Sequence, residues 1–459
     1  MGIQSWARPA VAPLCAVVIA AAASPAAGQL DDGLGIAQEL PGAIAEWSIA
    51  GPYPSERVNR DEYPHFFTIF LADWHPARAA AGLVDVSRHV QLVPESRSVV
   101  LARTVFRSDT RRSVTLLLDY GGQLDLFVNG RKSFPTTKNG RATTIYTEEV
   151  ARLCDTVQIQ LERGLNEILL MVTGRTGAWD FSARAEPLQP KQTDHDAVTT
   201  AWATDSLFLT PETVVYDPMR DVLYVSSFDY QYTRRSEPSG YISRLGTDGA
   251  VLEHYWVTGL EAPTGMSIWR DTLYVAERRH LVALDLRTGA VAGRWPIPDP
   301  VFPNDVAVDS TGAVYISDTR TNDWDDSRIY RFRDGEFAVF ANEGISRANG
   351  IAVVGDYLIV GSSGDGFLKR VRLTDGRVEP IVSLGAGIID GIRADRTGDL
   401  LVSHWEGLMY RITPAGDVVE ILDAWPDRRN VADFEYVPEL NLVIVPTFLD
   451  NRVAAYRLR

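Results

Sequence analysis

Residues Phe302–Thr319 read F-P-N-D-V-A-V-D-S-T-G-A-V-Y-I-S-D-T. The V-A-V and V-Y-I segments are rich in β-branched and aromatic residues, which is typical of short strands. The D-S-T-G segment between them predicts a tight turn that joins two antiparallel strands. Because antiparallel strands place the start of one beside the end of the next, we expect Asn304 and Asp318 at the same end of this hairpin.

The same pattern occurs six times, each time with a lead residue that opens the first strand of a hairpin. The lead residues are Glu212, Thr264, Asn304, Asn349, Asp390 and Asp433. The steps between them are 52, 40, 45, 41 and 43 residues. A period of about 40–50 residues with several short strands is typical of a β-propeller blade. We therefore predict a six-bladed β-propeller over residues 199–459.

The last blade needs a strand from elsewhere, because the terminal segment N-R-V-A-A-Y-R-L-R supplies only its third strand. Thr199–Leu209 precedes the first blade and has no place in its inner hairpin. We predict that this segment is the outer strand of blade six. Such an arrangement closes the ring and removes two open sheet edges.

Residues 29–190 predict a second all-β unit, a jelly-roll β-sandwich of about eight strands. Ser113–Tyr120 and Val157–Leu161 alternate apolar and polar residues, and Asn129-Gly130 is a strong hairpin turn. The sequence from Trp47 to about Glu186 otherwise predicts strands and turns, and no run of ten or more residues has apolar residues at helical spacing. The polar, proline-containing segment Pro187–Val198 predicts a linker, placed at residues 191–198.

Residues 1–28 predict a secretory signal peptide, with Arg8, an apolar run over Val11–Ala23 and a small-residue site at Ala26–Gly28. The run is too short to span a bilayer comfortably, and no other segment is apolar enough, so we expect a periplasmic or secreted protein without a membrane span. Apart from a cysteine within this leader, only Cys154 is present, which excludes a disulfide framework.

The formal net charge of −15 argues against a nucleic-acid partner. The lead residues point instead to a cation, because in a propeller they surround one mouth of the central channel. Four of them supply two carboxylates and two amide oxygens: Glu212, Asn304, Asn349 and Asp390. Hard oxygen donors of this kind suit Ca²⁺, whereas zinc would favour His or Cys. Asn and Asp also begin strands because they favour turns, but four oxygen donors at one register indicate a metal site.

A second ring of polar residues follows at the ends of the paired strands, each 13–15 residues after its lead: Ser226 or Ser227, Glu277, Asp318, Ser362 or Ser363, His404 and Thr447. His404 and Asp318 are candidate general bases that would deprotonate a water for attack on a polarised carbonyl. His404 is equally compatible with a structural histidine beside Trp405. Asp433 fits three roles equally well: a ligand, a base or a strand start.

The region of about residues 200–459 resembles the gluconolactonase, senescence-marker-protein and luciferin-regenerating-enzyme family of six-bladed propellers. The matching motifs are Pro211-Glu212, Pro303-Asn304-Asp305, Asn349-Gly350, Asp390-Gly391 and the closing A-D-F-E-Y-V-P…V-P-T-F-L-D-N-R-V-A-A-Y. The resemblance implies a divalent metal, usually Ca²⁺, that polarises a lactone or ester carbonyl. By match, the metal ligands would be Glu212, Asn349 and Asp390, with Asn304 as a ligand or a substrate contact. Thr264 and Glu277 are further candidate substrate contacts.

The chain departs from this family at two positions. Thr213-Val214 follows the glutamate where Gly-Pro is usual, and Phe302 stands where an arginine is common. The resemblance therefore implies the metal site more strongly than it implies a sugar lactone as substrate.

The N-terminal runs L-D-L-F-V-N-G-R and L-E-R-G-L-N-E-I-L-L-M-V resemble galactose-binding-like jelly-roll domains. Those domains bind sugars with loop aromatics, and the candidates in this chain are Trp47, Tyr53, Trp74 and Trp179. The alternative is that these rings fill the core or the contact between domains.

The sequence favours a hydrolase of a lactone or ester that uses Ca²⁺ or another divalent cation. The alternative is a non-catalytic propeller that binds a ligand, such as a sugar derivative, or a protein and uses the metal structurally, because propellers serve both purposes.

Overall fold

A computed structural model of the chain describes residues 42–459, except 81, 92–96, 121–122, 136–154, 175–178, 231–238 and 320–326. The predicted signal peptide and Cys154 lie outside the described residues. Over the described part of the chain, no helix combines the length and apolar character that a bilayer crossing requires.

The N-terminal part forms two facing sheets with one short helix, α1 (Phe66–Leu71). Its strands are β1 (Glu46–Pro54), β2 (His75–Arg78), β3 (Val84–Asp85), β4 (Ser98–Ser108), β5 (Arg112–Tyr120), β6 (Gln123–Val128), β7 (Arg131–Pro135), β8 (Asp155–Leu161), β9 (Gly164–Gly174), β10 (Asp180–Arg184), β11 (Gln189–Pro190) and β12 (Gln192–Thr193). One sheet contains β2, β1, β4, β9, β6 and β7, and the other has the order β3-β10-β5-β8. The predicted β-sandwich is confirmed, and the prediction of strand and turn alone missed α1.

The sandwich core contains two of the aromatic residues that were candidate sugar contacts. Trp47 packs edge-on against Phe181 with ring centroids 5.0 Å apart, and its Nε1 donates to the carbonyl of Ile44. Trp179 is buried in the same cluster. These two rings therefore fill the core, in agreement with the alternative reading.

Six blades of four antiparallel strands follow. Their strands are β13 (Val198–Ala203), β14 (Pro211–Asp217), β15 (Val222–Ser227), β16 (Gly240–Leu245), β17 (Val251–Leu260), β18 (Met266–Trp269), β19 (Thr272–Ala276), β20 (His280–Asp285), β21 (Val291–Pro296), β22 (Pro303–Val308), β23 (Val314–Asp318), β24 (Arg328–Arg333), β25 (Glu336–Ala341), β26 (Ala348–Val354), β27 (Tyr357–Ser362), β28 (Phe367–Arg372), β29 (Val378–Leu384), β30 (Ile389–Ala394), β31 (Leu400–His404), β32 (Leu408–Ile412), β33 (Val418–Asp423), β34 (Glu435–Val437), β35 (Leu442–Pro446) and β36 (Val453–Leu458).

The blades close into a ring. The innermost strands β14, β18, β22, β26, β30 and β34 touch in this cyclic order, and β34 returns to contact β14. The sixth blade has the order β13-β36-β35-β34, so the strand that precedes the first blade completes the last one. Both the six-bladed propeller and its closing strand are thus as predicted.

The sandwich and the propeller are joined by main-chain hydrogen bonds. Strand β9 pairs in parallel with β29 of blade four, with Gly164 opposite Ser383, and Ser383 Oγ donates to the carbonyl of Leu165 at 2.7 Å. Strand β12 pairs in parallel with β33 of blade five. Residues 191–198, the predicted linker, therefore contain a paired strand and a 3₁₀ turn that begins at His195.

Neighbouring inner strands approach closely near their first residues. A Cβ added to Gly350 of blade four would overlap the carbonyl oxygen of Asp390 in blade five. Only glycine allows this approach of the two backbones.

We expect Gly350→Ala to lower the free energy of unfolding by about 3 kcal/mol, because the added methyl group forces adjacent blades apart. Gly355→Ala is the matched control in the same blade, where φ is +58° and no atom lies within 4 Å of the added Cβ. The control should cost only the conformational strain of about 1 kcal/mol. Denaturant titration of both variants measures the difference, and equal losses would refute the close approach.

Candidate functional site

The four predicted metal ligands lie in four equivalent β-bulges. In each of these blades the register between the first two strands shifts at the lead residue: between Pro211 and Val214, Pro303 and Val306, Ala348 and Ile351, and Ile389 and Ile392. These bulges contain Glu212, Asn304, Asn349 and Asp390. The extra residue of a bulge interrupts the regular alternation of side chains along the strand and changes the direction of the side chain at that position. The same local distortion therefore acts on all four side chains.

A serine on the second strand satisfies the backbone of three of these bulges. Its Oγ accepts from the N–H of the residue that follows the lead: Thr213 N to Ser226 at 3.1 Å, Asp305 N to Ser317 at 2.9 Å and Gly391 N to Ser403 at 2.7 Å. Of these serines, only Ser226 was selected from the sequence. The missed signal is a serine just before the second ring in blades three and five, I-S-D and V-S-H.

Further hydrogen bonds join neighbouring blades close to the leads in four places. They run from Ser226 Oγ to the Thr264 carbonyl at 2.8 Å, from Gly265 N to the Asn304 carbonyl at 2.6 Å, from Ile351 N to Asp305 Oδ2 at 2.7 Å and from Asp433 N to the Glu212 carbonyl at 3.1 Å. These contacts hold the starts of neighbouring inner strands close together.

Three of the predicted ligands have a buried oxygen with no hydrogen-bond partner among the described residues: Glu212 Oε2, Asn349 Oδ1 and Asp390 Oδ2. A buried polar atom without a partner is costly, so a cation or water molecules are expected beside these oxygens. Two carboxylates and an amide are the donors that Ca²⁺ prefers. Within the described residues, no group of three or more His, Cys, Asp or Glu side chains is placed to hold a metal.

The carboxylates also lie within electrostatic range of one another. Burial, together with repulsion from Asp433, raises the pKa of Glu212 to about 8. Burial and repulsion from Glu212 raise the pKa of Asp390 well above its ordinary value. Both groups therefore retain protons at pH values where a free carboxyl has lost them, and a cation between them would reverse that preference.

Asp433 differs from the other leads because it has a cationic neighbour. Arg393 Nη1 lies 3.2 Å from Asp433 Oδ1, and Arg393 Nε donates to Glu435 Oε1 at 3.2 Å. Burial raises the pKa of Asp433, and the Arg393 guanidinium opposes that rise. Arg393 was not selected from the sequence, since nothing near it marks an arginine that reaches across to the neighbouring blade.

His404 and Asp318 of the second ring have different surroundings. His404 Nε2 is buried and without a partner among the described residues, and burial, with Arg103 nearby, lowers its pKa to about 3. Its ring packs edge-on against Tyr410 at 5.1 Å. Asp318 Oδ1 accepts from the N–H groups of Val301 at 3.2 Å and Phe302 at 2.7 Å, so this carboxylate fixes the loop before β22.

The candidate substrate contacts of blade two are hydrogen-bonded within the protein. Thr264 Oγ1 lies 3.3 Å from the carbonyls of both Ala276 and Pro303. Glu277 Oε1 accepts from Glu261 N at 3.1 Å and from Arg294 at 2.9 Å, while its Oε2 is buried without a partner in the described structure.

Glu406 was not selected from the sequence, although it lies two residues after His404. Both of its carboxylate oxygens lie 3.1 Å from the N–H of Ile388. Burial raises the pKa of Glu406 to about 7, and its charge in turn acts on Asp390. Its position in a strand-end turn gave no sign of this proximity.

Residues 210–430 match the family model of the SMP-30/gluconolactonase/LRE-like region. The matched segment includes Glu212, Asn304, Asn349 and Asp390 and ends before Asp433. No curated protein matches the chain.

Solved structures similar to this chain include two enzymes. Selenomethionine-substituted virginiamycin B lyase from Staphylococcus aureus is 12% identical, with a TM-score of 0.43 over 57% of this chain and 100% of the lyase. A luciferin-regenerating enzyme is 14% identical, with a TM-score of 0.43 over 56% of this chain and 94% of the enzyme. Similarity at this level carries no information about substrate or reaction.

The raised carboxyl pKa values predict how stability depends on pH when divalent ions are removed. Between the ordinary pKa of 4.5 and about 8, Glu212 keeps its proton in the folded protein but loses it in the unfolded chain. Folding is therefore progressively disfavoured as pH rises through this range. In EDTA we expect the Tm to fall from pH 5 to pH 8, and saturating Ca²⁺ should remove most of that fall.

Glu212→Gln should flatten the pH dependence in EDTA, because its neutral amide does not titrate. Glu336→Gln, at an exposed position in β25, removes the same charge from the surface and should leave the slope unchanged. Thermal unfolding at five pH values measures these slopes. Equal slopes of Tm against pH in the wild type and Glu212→Gln would contradict the raised pKa of the buried Glu212 carboxyl.

Proposed function

We propose that the propeller is a hydrolase of a small lactone or ester that depends on a divalent cation held at the channel mouth. The observation that carries this proposal is the set of buried oxygens on Glu212, Asn349 and Asp390 that have no hydrogen-bond partner in the described part of the chain. Three separate bulges present them, inside the segment that matches the SMP-30/gluconolactonase/LRE-like family model. Their chemistry favours Ca²⁺, although Mn²⁺ or Zn²⁺ would meet some of the same donors.

Glu212, Asn349 and Asp390 would hold the cation, and Asn304 would complete the set or bind the substrate through its side-chain amide. When bound, a divalent cation supplies Lewis-acid polarisation of a carbonyl oxygen. Gly350 and Gly391 follow two of these ligands, so the backbone beside each ligand packs directly against the neighbouring blade without a side chain in between. This close packing would hold the donors in fixed positions. Little reorganisation of the site would then be needed during the reaction, which favours a high rate.

Asp433 is the general base in this proposal. Its carboxyl has a raised pKa, its backbone N–H donates to the Glu212 carbonyl, and Arg393 stabilises the charged form of the carboxyl. A base is most effective when its pKa lies near the working pH. His404, with a pKa lowered to about 3, would accept a hydrogen bond from the attacking water rather than its proton. Asp318 is given no direct role because loop amides occupy its carboxylate.

We also propose that this reaction takes place in the periplasm or outside the cell, after removal of residues 1–28 as a signal peptide. The partner in the reaction is a small molecule. The acidic chain is not proposed to bind nucleic acid, and no sugar-binding role is assigned to the sandwich.

Asp390→Asn should reduce the Ca²⁺-dependent hydrolysis of lactones and aryl esters by about hundredfold or more, because it removes one negative donor without changing shape. Asp334→Asn is the control, since this carboxylate is 94% exposed in a turn of blade three. Initial rates across a substrate panel, together with Ca²⁺ affinity by calorimetry, provide the comparison.

Tight Ca²⁺ binding without turnover of any substrate in the panel would contradict the hydrolase proposal and favour a ligand-binding propeller with a structural cation. Turnover that persists in EDTA and in Asp390→Asn would contradict the role of the cation.

A further inference from the structure

Helix α1 of the N-terminal sandwich lies against the propeller at the same mouth. Phe66 contacts Trp405 edge-on with ring centroids 5.4 Å apart, and Phe70 lies 5.3 Å from the same ring. Phe70 is only 1% exposed. A helix of one sheet domain therefore buries its apolar face against a blade of the other.

The propeller residues of this contact are neighbours in sequence of the candidate site residues. Phe228, Trp405 and Phe448 each directly follow a member of the second ring, in blades one, five and six. They form one apolar cluster with Phe70 and with Ala432, the residue before Asp433. This aromatic cluster therefore lies beside members of both rings of polar residues.

The helix is fixed in this position by two tryptophan side chains that donate to main-chain carbonyls near its C-terminal end. Trp425 Nε1 of blade five donates to the carbonyl of Phe70 at 3.3 Å, and Trp74 Nε1 donates to the carbonyl of Ile69 at 2.9 Å. The guanidinium of Arg103 stacks over the Trp425 ring at 4.7 Å.

A buried ion pair supports that stack from the sandwich. Arg103 forms a salt bridge with Glu167, whose other oxygen accepts from Tyr63 Oη at 2.6 Å. Together with the parallel pairing of β9 and β29, these contacts hold α1 firmly against the propeller mouth.

Part of the apolar surface of this cluster is only half-buried. Phe66, Ala262 and Ile388 are partly exposed members of the same cluster. Ile388 lies two residues before Asp390, and Ala262 lies two residues before Thr264. A molecule bound at the lead residues would therefore meet carbon atoms on this side, and its hydroxyl groups would lose hydrogen bonds there.

We infer that α1 forms an apolar wall of the site and that the substrate carries an alkyl or aryl group beside its carbonyl. This inference rests on the proposed function for the identity of the reacting group. Phe66 is then a specificity-determining residue that the N-terminal domain contributes to a propeller site. A polyhydroxylated sugar lactone would be a poor substrate for such a wall.

The test uses two matched series with side chains from methyl to octyl: γ-lactones as substrates and the corresponding γ-lactams as non-hydrolysed ligands. Lactam affinity is measured by tryptophan fluorescence in saturating Ca²⁺, and lactone kcat/KM by initial rates. In the wild type we expect affinity to rise about threefold per added methylene, as partial burial of each CH₂ predicts.

Phe66→Ala should reduce this rise to about half or less, and Phe66→Leu should restore most of it. Leu71→Ala, on the same helix at a position that is 51% exposed, should leave it unchanged. Absence of a rise in the wild type, or an equal rise in Phe66→Ala, overturns the apolar wall.

The two readouts separate this inference from the proposed reaction. If the lactams bind with a chain-length dependence that needs Phe66 but no lactone is hydrolysed, the wall stands and the hydrolase proposal fails. If lactones are hydrolysed with no chain-length dependence, the hydrolase proposal stands and the wall fails.

Discussion

The candidate site depends on a β-bulge at the start of the inner strand, repeated in four of the six blades. Each bulge contains one oxygen-bearing side chain, and in three of them a serine on the next strand accepts a hydrogen bond from the N–H of the residue after it. Without the bulges, the regular alternation of side chains along each strand would decide where these side chains point. The closed ring then places these four equivalent local distortions on inner strands that surround one channel.

Much of this arrangement was predictable because it is local or periodic. The D-S-T-G turn, the alternating strands and the recurring lead residues define a hairpin, and the period near 40–50 residues identifies a blade. Antiparallel pairing then places Asn304 and Asp318 at one end without further information. The outer strand of blade six was predictable because the last blade had only three strands and an unassigned strand preceded the first blade.

The features that the sequence left hidden are contacts between distant segments. Arg393 reaches from blade five to Asp433, and Glu406 acts on Asp390 from a strand-end turn. Helix α1 is six residues long, too short to show a helical period, and its burial depends on Trp405 more than three hundred residues later. Likewise, a polar segment such as residues 191–198 is typical of a linker until a partner strand is known.

The central claim is that side-chain oxygens from three blades bind one divalent cation at the hub of the propeller. A crystal structure of the protein grown with Ca²⁺, with anomalous data to identify the ion, tests it most directly. The account predicts one ion with Glu212, Asn349 and Asp390 oxygens at about 2.3–2.6 Å. An ion bound elsewhere, or a channel mouth that holds only water at millimolar Ca²⁺, would contradict it.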